Sequence, residues 1–197
     1  MLDFLYSIET SLFYFFNQTL SNPVTDVALP LLTDLNKTWW GLTILGLPWL
    51  LLAWKGGRKG RTVALLLIPL LIISDQLSST IIKNMIERPR PCQEVNGVQV
   101  LDHIHLLVTC GSGFSFPSSH AVNNFAVATF LSYYYHQCKW FVFSFAGLVG
   151  YSRIGVGVHY PSDVLGGAVV GVLVASMVIL VWKAFGKQIP ALAISRS

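Results

Sequence analysis

The chain has 197 residues, of which 53% are hydrophobic and only 11% charged, with a formal net charge of +4. An ordinary soluble domain carries roughly a quarter charged residues and buries about 70% of its surface at this length, so a soluble fold would leave large apolar patches in water. Lipid is the expected solvent for most of the chain. Disorder, coiled coil and a small disulfide scaffold are excluded by so apolar a composition with three Cys. The positive charge is no sign of nucleic acid, because in a membrane protein the placement of Lys and Arg carries more meaning than their sum.

At the N-terminus, Leu2, Leu5, Leu12, Phe13, Phe15 and Phe16 with Asp3 and Glu9 form either an interfacial amphipathic helix or an additional span. Asn22-Pro23 breaks it, and residues 24–35 read as a short helix. No cationic leader precedes the aromatic segment, so no cleavable signal peptide is expected. A crossing helix needs about 20 mostly apolar residues, with about 17 as the lower limit. Residues 38–54, 62–82, 118–137, 140–158 and 164–182 meet this, and the last carries Gly167 and Gly171 at a spacing that admits a neighbouring helix. The predicted fold is all-α: one membrane domain over residues 1–197, a polytopic bundle of five to six transmembrane helices with the N-terminal helix amphipathic or interfacial.

Between the first two spans, Lys55, Arg58, Lys59 and Arg61 place four cations in seven residues, which makes that loop cytoplasmic by the positive-inside rule. Alternating the spans puts Lys139, Lys183, Lys187 and Arg196 on the same side. The other five of the 13 cations, Lys37, Lys83, Arg88, Arg90 and Arg153, fall at the opposite face, where orientation gives no reason for them.

Three of the sequence's polar clusters meet that face: residues 83–91, 116–120, and Ser152-Arg153 with residues 159–163. A single boundary Lys or Arg is commonly a snorkelling anchor, and a single His a cap. Together they describe an anion site, since Arg binds two phosphate oxygens with its fork, Lys acts as a point charge, and the helix start after Pro117 offers free N–H groups. Two histidines add chemistry. His159 stands four residues before Asp163, so the carboxylate can hold one ring nitrogen and leave the other facing phosphorus. His120 is placed to protonate a leaving alkoxide.

Lys83-x6-Arg90-Pro91, Pro117-Ser118-Ser119-His120 and Ser152-Arg153-x5-His159-x3-Asp163 resemble, in order and spacing, the three signature motifs of the type 2 phosphatidic acid phosphatase (PAP2) superfamily. That family includes bacterial membrane lipid phosphatases and soluble vanadium haloperoxidases. The resemblance covers residues 83–163 and implies metal-independent phosphoryl transfer with no cofactor. It implies His159 as nucleophile, Asp163 as its orienting partner, His120 as general acid, and Lys83, Arg90, Ser118, Ser119 and Arg153 as phosphate ligands. Ser119 departs from the pattern, which has Gly there; its N–H can still donate. The substrates implied are lipid A 1-phosphate, undecaprenyl diphosphate, phosphatidylglycerol phosphate and phosphatidic acid. The expected partners are the bilayer and such a lipid, with no nucleic acid, at the inner membrane with the site facing the periplasm or exterior. A lipid phosphotransferase with the same phosphohistidine, and an anion transporter, are the competing functions.

Outside the motifs, Asp75 reads either as an orienter of Lys83 through Ser79 or as an interhelical contact. Glu87 and Arg88 read as a rim pair. Cys92 and Cys110 bracket the polar loop and either stay as thiols or close it with a disulfide. Asp102, His103 and His105 read as a solvated or gating loop rather than a metal cluster, with Leu106, Leu107 and Val108 dipping toward lipid.

Overall fold

The computed structural model describes residues 2–186, so the expected inner cations Lys187 and Arg196 lie outside the described residues. Helix α1 (Leu2–Tyr14) runs into a π-helical turn, Phe15–Thr19. Asn22 ends the connection and caps α2 (Pro23–Thr33): its side chain accepts the N–H groups of Val24 and Thr25, and Pro23 sits at the first helical position. After a 3₁₀ turn (Leu35–Lys37), Thr38 caps α3 (Trp39–Lys55). The next rod is α4 (Gly57–Gln76), a π-helical segment (Leu77–Ile82) and α5 (Lys83–Ile86), ended by Glu87 in the left-handed region at φ 51°. The bundle is completed by α6 (Ser119–Tyr134), α7 (Lys139–Gly155) and α8 (Pro161–Phe185).

Two rods, Gly57–Ile86 and Pro161–Phe185, are long and apolar enough to cross a membrane. Only 22% and 28% of their apolar windows are buried inside the protein, far less than a soluble core helix would show. Helices α3 and α7 have 17 residues each and α6 has 16, so the 20-residue span expected at 118–137 is shorter than its hydropathy suggested. Tyr135 leaves helical geometry, and the polar His136–Cys138 turn takes the chain directly into α7. The fold also departs from all-α at one point. Glu94–Val95 and Val98–Gln99 pair antiparallel across Asn96 and Gly97, which supply the two positive φ angles such a tight hairpin needs.

Helix α6 is the centre of the bundle, packed most extensively on α8 and then on α7 and α4. The α6–α8 contact is so close because of the glycines read from the sequence. A Cβ on Gly171 would lie 2.3 Å from the Val122 carbonyl oxygen, and one on Gly167 2.8 Å from the Ser118 carbonyl oxygen. Towards the other end, Val63, Leu67, Leu70, Ala126, Phe130, Val174 and Ile179 form the largest apolar core. Around it, Leu42, Leu50, Leu65, Leu165, Leu173 and Leu180 are exposed, as a lipid-facing surface requires.

The N-terminal helix is docked rather than peripheral. Phe13 is fully buried beside Ile154, Tyr160 and Val164. Asn17, also fully buried, donates to the carbonyls of His105 (2.8 Å) and Gly155 (2.9 Å) and accepts the His105 N–H (2.9 Å). Every polar atom of that side chain thereby ties the π-helical turn after α1 to the polar loop and to the end of α7, which removes the cost of burying an amide.

Candidate active site

The glycine-mediated contact of α6 with α8 brings two helix starts together. The Ser118 N–H donates to the Asp163 carbonyl oxygen at 3.0 Å, so Ser118, Ser119 and His120 stand against the turn that carries His159. Asp163 is the third residue of α8, and its Oδ2 accepts the Tyr160 N–H at 2.8 Å, a capping bond that fixes the carboxylate.

His159 and Asp163 are both almost fully buried. The His159 Nδ1 lies 3.4 Å from Asp163 Oδ2 and 3.3 Å from Ser115 Oγ, while Ser115 Oγ donates to the same Oδ2 at 2.5 Å. On the other side of the ring, Nε2 faces Arg90 Nη1 at 3.4 Å. A carboxylate beside Nδ1 and a guanidinium donor beside Nε2 assign the proton to Nδ1 and the lone pair to Nε2. Burial, reinforced by Arg153 and Arg90 and only partly opposed by Asp163, holds the imidazole down at a pKa of about 3. The free protein therefore carries a neutral, oriented histidine at physiological pH.

Three cations surround it. The Arg90 Nε donates to the Gly113 carbonyl oxygen at 2.7 Å, and its Nη1 reaches the Val158 carbonyl at 3.4 Å. Arg153 is buried and donates to Thr33 Oγ1 at 2.6 Å. Lys83, the first residue after the π-helical segment, lies in Coulombic range of both arginines and of Asp163. A π-helical segment shifts the register of the side chains that follow it, here where the first motif begins.

Polar side-chain atoms at this end are buried with no hydrogen-bond partner: Ser118 Oγ, Ser119 Oγ, His120 Nε2 and Arg153 Nε. Such groups normally find partners, because burying them bare costs about 1–3 kcal/mol each. His120 lies in Coulombic range of Arg153, and Arg90 in range of Arg153, Lys83 and His159, so these donors are neighbours at this end, a set that favours an anion. All eight residues singled out from the motifs lie at this end. Among the described residues, no three His, Cys, Asp or Glu gather into a metal-ligand cluster.

Elsewhere the structure selects among the sequence readings or corrects them. Glu87 and Arg88 are not a rim pair: Glu87 is exposed, and Arg88 turns inward to Glu9 Oε2 (2.6 Å) and Asp163 Oδ1 (3.0 Å). Asp75 makes the interhelical contact, accepting from Asn123 Nδ2 at 3.2 Å, while Ser79 bonds only to the Asp75 backbone oxygen. Cys92 and Cys110 are joined in a disulfide. Leu107 and Val108 pack on Leu29, Val156 and Val158 instead of facing lipid, because the loop is drawn inward by Asn17, with His105 Nε2 coming within 3.1 Å of Asp26 Oδ2. Sequence reasoning missed Ser115, which no spacing rule marks, and the Glu9–Arg88 link, whose partners lie 79 residues apart.

Comparison with known proteins bears on the family. The family model for the PAP2 superfamily matches residues 64–187. The lipid A 4′-phosphatase of Bacteroides thetaiotaomicron is 29% identical over 87% of this chain and 75% of its own length. The crystal structure of Aquifex aeolicus LpxE superposes with a TM-score of 0.66 at 26% identity, over 88% of this chain and 95% of that one. A transmembrane PAP2-type phosphatidylglycerolphosphate phosphatase from Bacillus subtilis gives the same TM-score at 25% identity, over 94% and 87% of the two chains. With motifs, fold and family model in agreement, the chain belongs to the PAP2 superfamily.

Proposed function

We propose that this phosphoric ester hydrolase is a multi-pass membrane lipid phosphatase that removes phosphate from a lipid monoester or diphosphate through a phosphohistidine at His159. The observation that carries this reading is the pairing of a neutral, Asp163-held imidazole with buried donors that have no partner of their own. Nε2 attacks phosphorus and the bond to the leaving oxygen breaks. His120, whose protonated form a bound phosphate favours, gives its proton to the departing alkoxide. The three equatorial oxygens are held by Lys83, Arg90, Arg153 and the hydroxyls and N–H groups of Ser118 and Ser119. Water then attacks the phosphohistidine, His120 recovers a proton from it, and phosphate leaves. Asp163 stabilises the cationic imidazole formed in the first step and remains ionised throughout. The donors fit phosphate directly, so the scheme requires no metal and no cofactor.

The bundle reads as one membrane domain of five or six spans, with the motif end at the outer surface of the inner membrane and the cationic α3–α4 connection in the cytoplasm. A lipid head group at the bilayer surface suits a phosphate site at helix ends. Relatives named for the 4′-phosphate of lipid A, rather than the 1-phosphate expected from the sequence, and for phosphatidylglycerol phosphate support those head groups as substrates; undecaprenyl diphosphate and phosphatidic acid are further candidates. Phosphate release from a panel of purified lipid phosphates, ranked by kcat/KM, tests both parts. Wild-type protein releases phosphate from at least one of them in EDTA, and monodisperse His159→Ala releases none. Hydrolysis retained by that variant would overturn the assignment.

A further inference from the structure

We propose that Arg88 is a positioning residue for the His159–Asp163 pair and that Glu9 anchors it, which makes α1 part of the catalytic apparatus. The inference rests on the reading of His159 as nucleophile and Asp163 as its orienter, and adds what holds the orienter.

Asp163 has two oxygens with separate duties. Oδ2 serves His159, Ser115 and the Tyr160 N–H, while Oδ1 accepts from Arg88 Nη1 at 3.0 Å. The carboxylate is wholly buried, so an Oδ1 without Arg88 would be an uncompensated charge. Rotation of the carboxyl group to find other donors would take Oδ2 away from the imidazole.

Arg88 is itself held from several directions. Its guanidinium carbon stands 3.9 Å above the centre of the Tyr160 ring. Nη2 donates to Glu9 Oε2 at 2.6 Å, and Nη1 reaches Ser162 Oγ at 2.7 Å and Glu9 Oε1 at 3.4 Å. Ser162 Oγ in turn donates to Glu9 Oε1, closing a ring of contacts between α1, residue 88 and the first turn of α8. Only a planar fork serves this many partners at once, and a lysine ammonium does not reproduce it.

The charge arrangement separates this arginine from Arg90 and Arg153. Both terminal nitrogens of Arg88 are committed to carboxylates and a hydroxyl, whereas Arg153 Nε is buried without a partner. Arg88 therefore holds Asp163 rather than phosphate. Glu9 balances the guanidinium, so that Asp163 keeps its full negative charge for the imidazolium that forms during phosphoryl transfer. Phe13, one helical turn beyond Glu9, is buried against Tyr160 and fixes the anchor in place.

A double-mutant cycle on the full-length protein in detergent, with short-chain phosphatidic acid as substrate, tests this. R88Q is expected to lower kcat by on the order of 10- to 100-fold with KM within about twofold. In a D163N background the same substitution should lower kcat by less than about threefold, because its effect passes through Asp163. Losses that multiply in the double variant, or an R88Q effect on KM alone, would overturn the proposal. Wild-type kcat in D163N would instead overturn the reading of the site on which it rests. Where R88Q is not monodisperse, R88K enters the same cycle, with a kcat loss on the wild-type background that disappears on D163N. E9Q is expected to lower kcat severalfold on the wild-type background and not on R88Q or R88K; an unchanged kcat would remove α1 from the apparatus.

Discussion

The two ends of the bundle use the same residue types in opposite ways. At the end formed by the α3–α4 connection and the C-termini of α6 and α8, Lys55, Lys59 and Lys183 are exposed, with their ammonium groups over Trp54 (5.5 Å), Tyr135 (4.8 Å) and Tyr133 (4.7 Å). Lys139 stands likewise over Trp140 at 5.1 Å. These are anchors: apolar stem and ring on one side, charge in water, each contact worth about 0.5–1 kcal/mol. At the motif end, Arg90 and Arg153 are each only 8% exposed, and Arg88 is enclosed by Glu9, Asp163 and Tyr160. What distinguishes the motif end is desolvation, because a cation removed from water interacts far more strongly with any anion beside it.

That contrast can be broken first at Arg153. Arg153→Ala removes a desolvated donor and is expected to lower kcat/KM by on the order of 10²- to 10³-fold, measured as phosphate release by monodisperse protein. A loss no larger than that of an exposed lysine would erase the difference between the ends. Reducing the Cys92–Cys110 disulfide is next in size. The bond closes residues 92–110 and fixes Gln93 beside the segment just after Cys110, where the Gly113 carbonyl holds Arg90 Nε and the Gly111 and Gly113 carbonyls accept from Gln93, which in turn accepts the Arg90 N–H. Loop-closure entropy puts its contribution at about 3 kcal/mol, so the C92S/C110S variant should unfold at a lower temperature and lose activity with Arg90.

Acid sharpens the contrast in a different way. His159 is neutral in the fold at a pKa of about 3, and its ordinary value is 6.5. Between those values the unfolded chain binds a proton that the folded protein does not. Stability from this group is thus complete above pH 6.5 and is lost as pH falls toward about 3. The unfolding temperature of the wild type should drop more steeply from pH 7 to pH 4 than that of His159→Ala; parallel curves would contradict the buried neutral histidine. The smallest effect belongs to the other end, where Lys59→Ala should leave kcat/KM within about twofold.

The sequence was most informative where function depends on local spacing. His159 and Asp163 one helical turn apart, the helix start at Ser118, and Gly167 and Gly171 on one face of α8 all follow from short-range geometry. The long apolar rods were legible from composition, although hydropathy ran past the true end of α6 because it does not register the change to a 3₁₀ turn at His136. The hairpin at Asn96-Gly97 carried a turn signal, flanked by strands of only two residues each. Glu9 and Ser115 were illegible for a deeper reason. A carboxylate on an amphipathic helix and a serine in a loop look solvated until tertiary packing places them beside Arg88 and Asp163, and no periodicity encodes a partner 79 residues away.

The central claim is that phosphate passes through His159, and the stereochemical course at phosphorus tests it most directly. An isotopically chiral lipid phosphorothioate hydrolysed in labelled water should give product with overall retention of configuration, the outcome of two in-line displacements through a phosphohistidine. Inversion would mean that water attacks the substrate itself and would contradict the account.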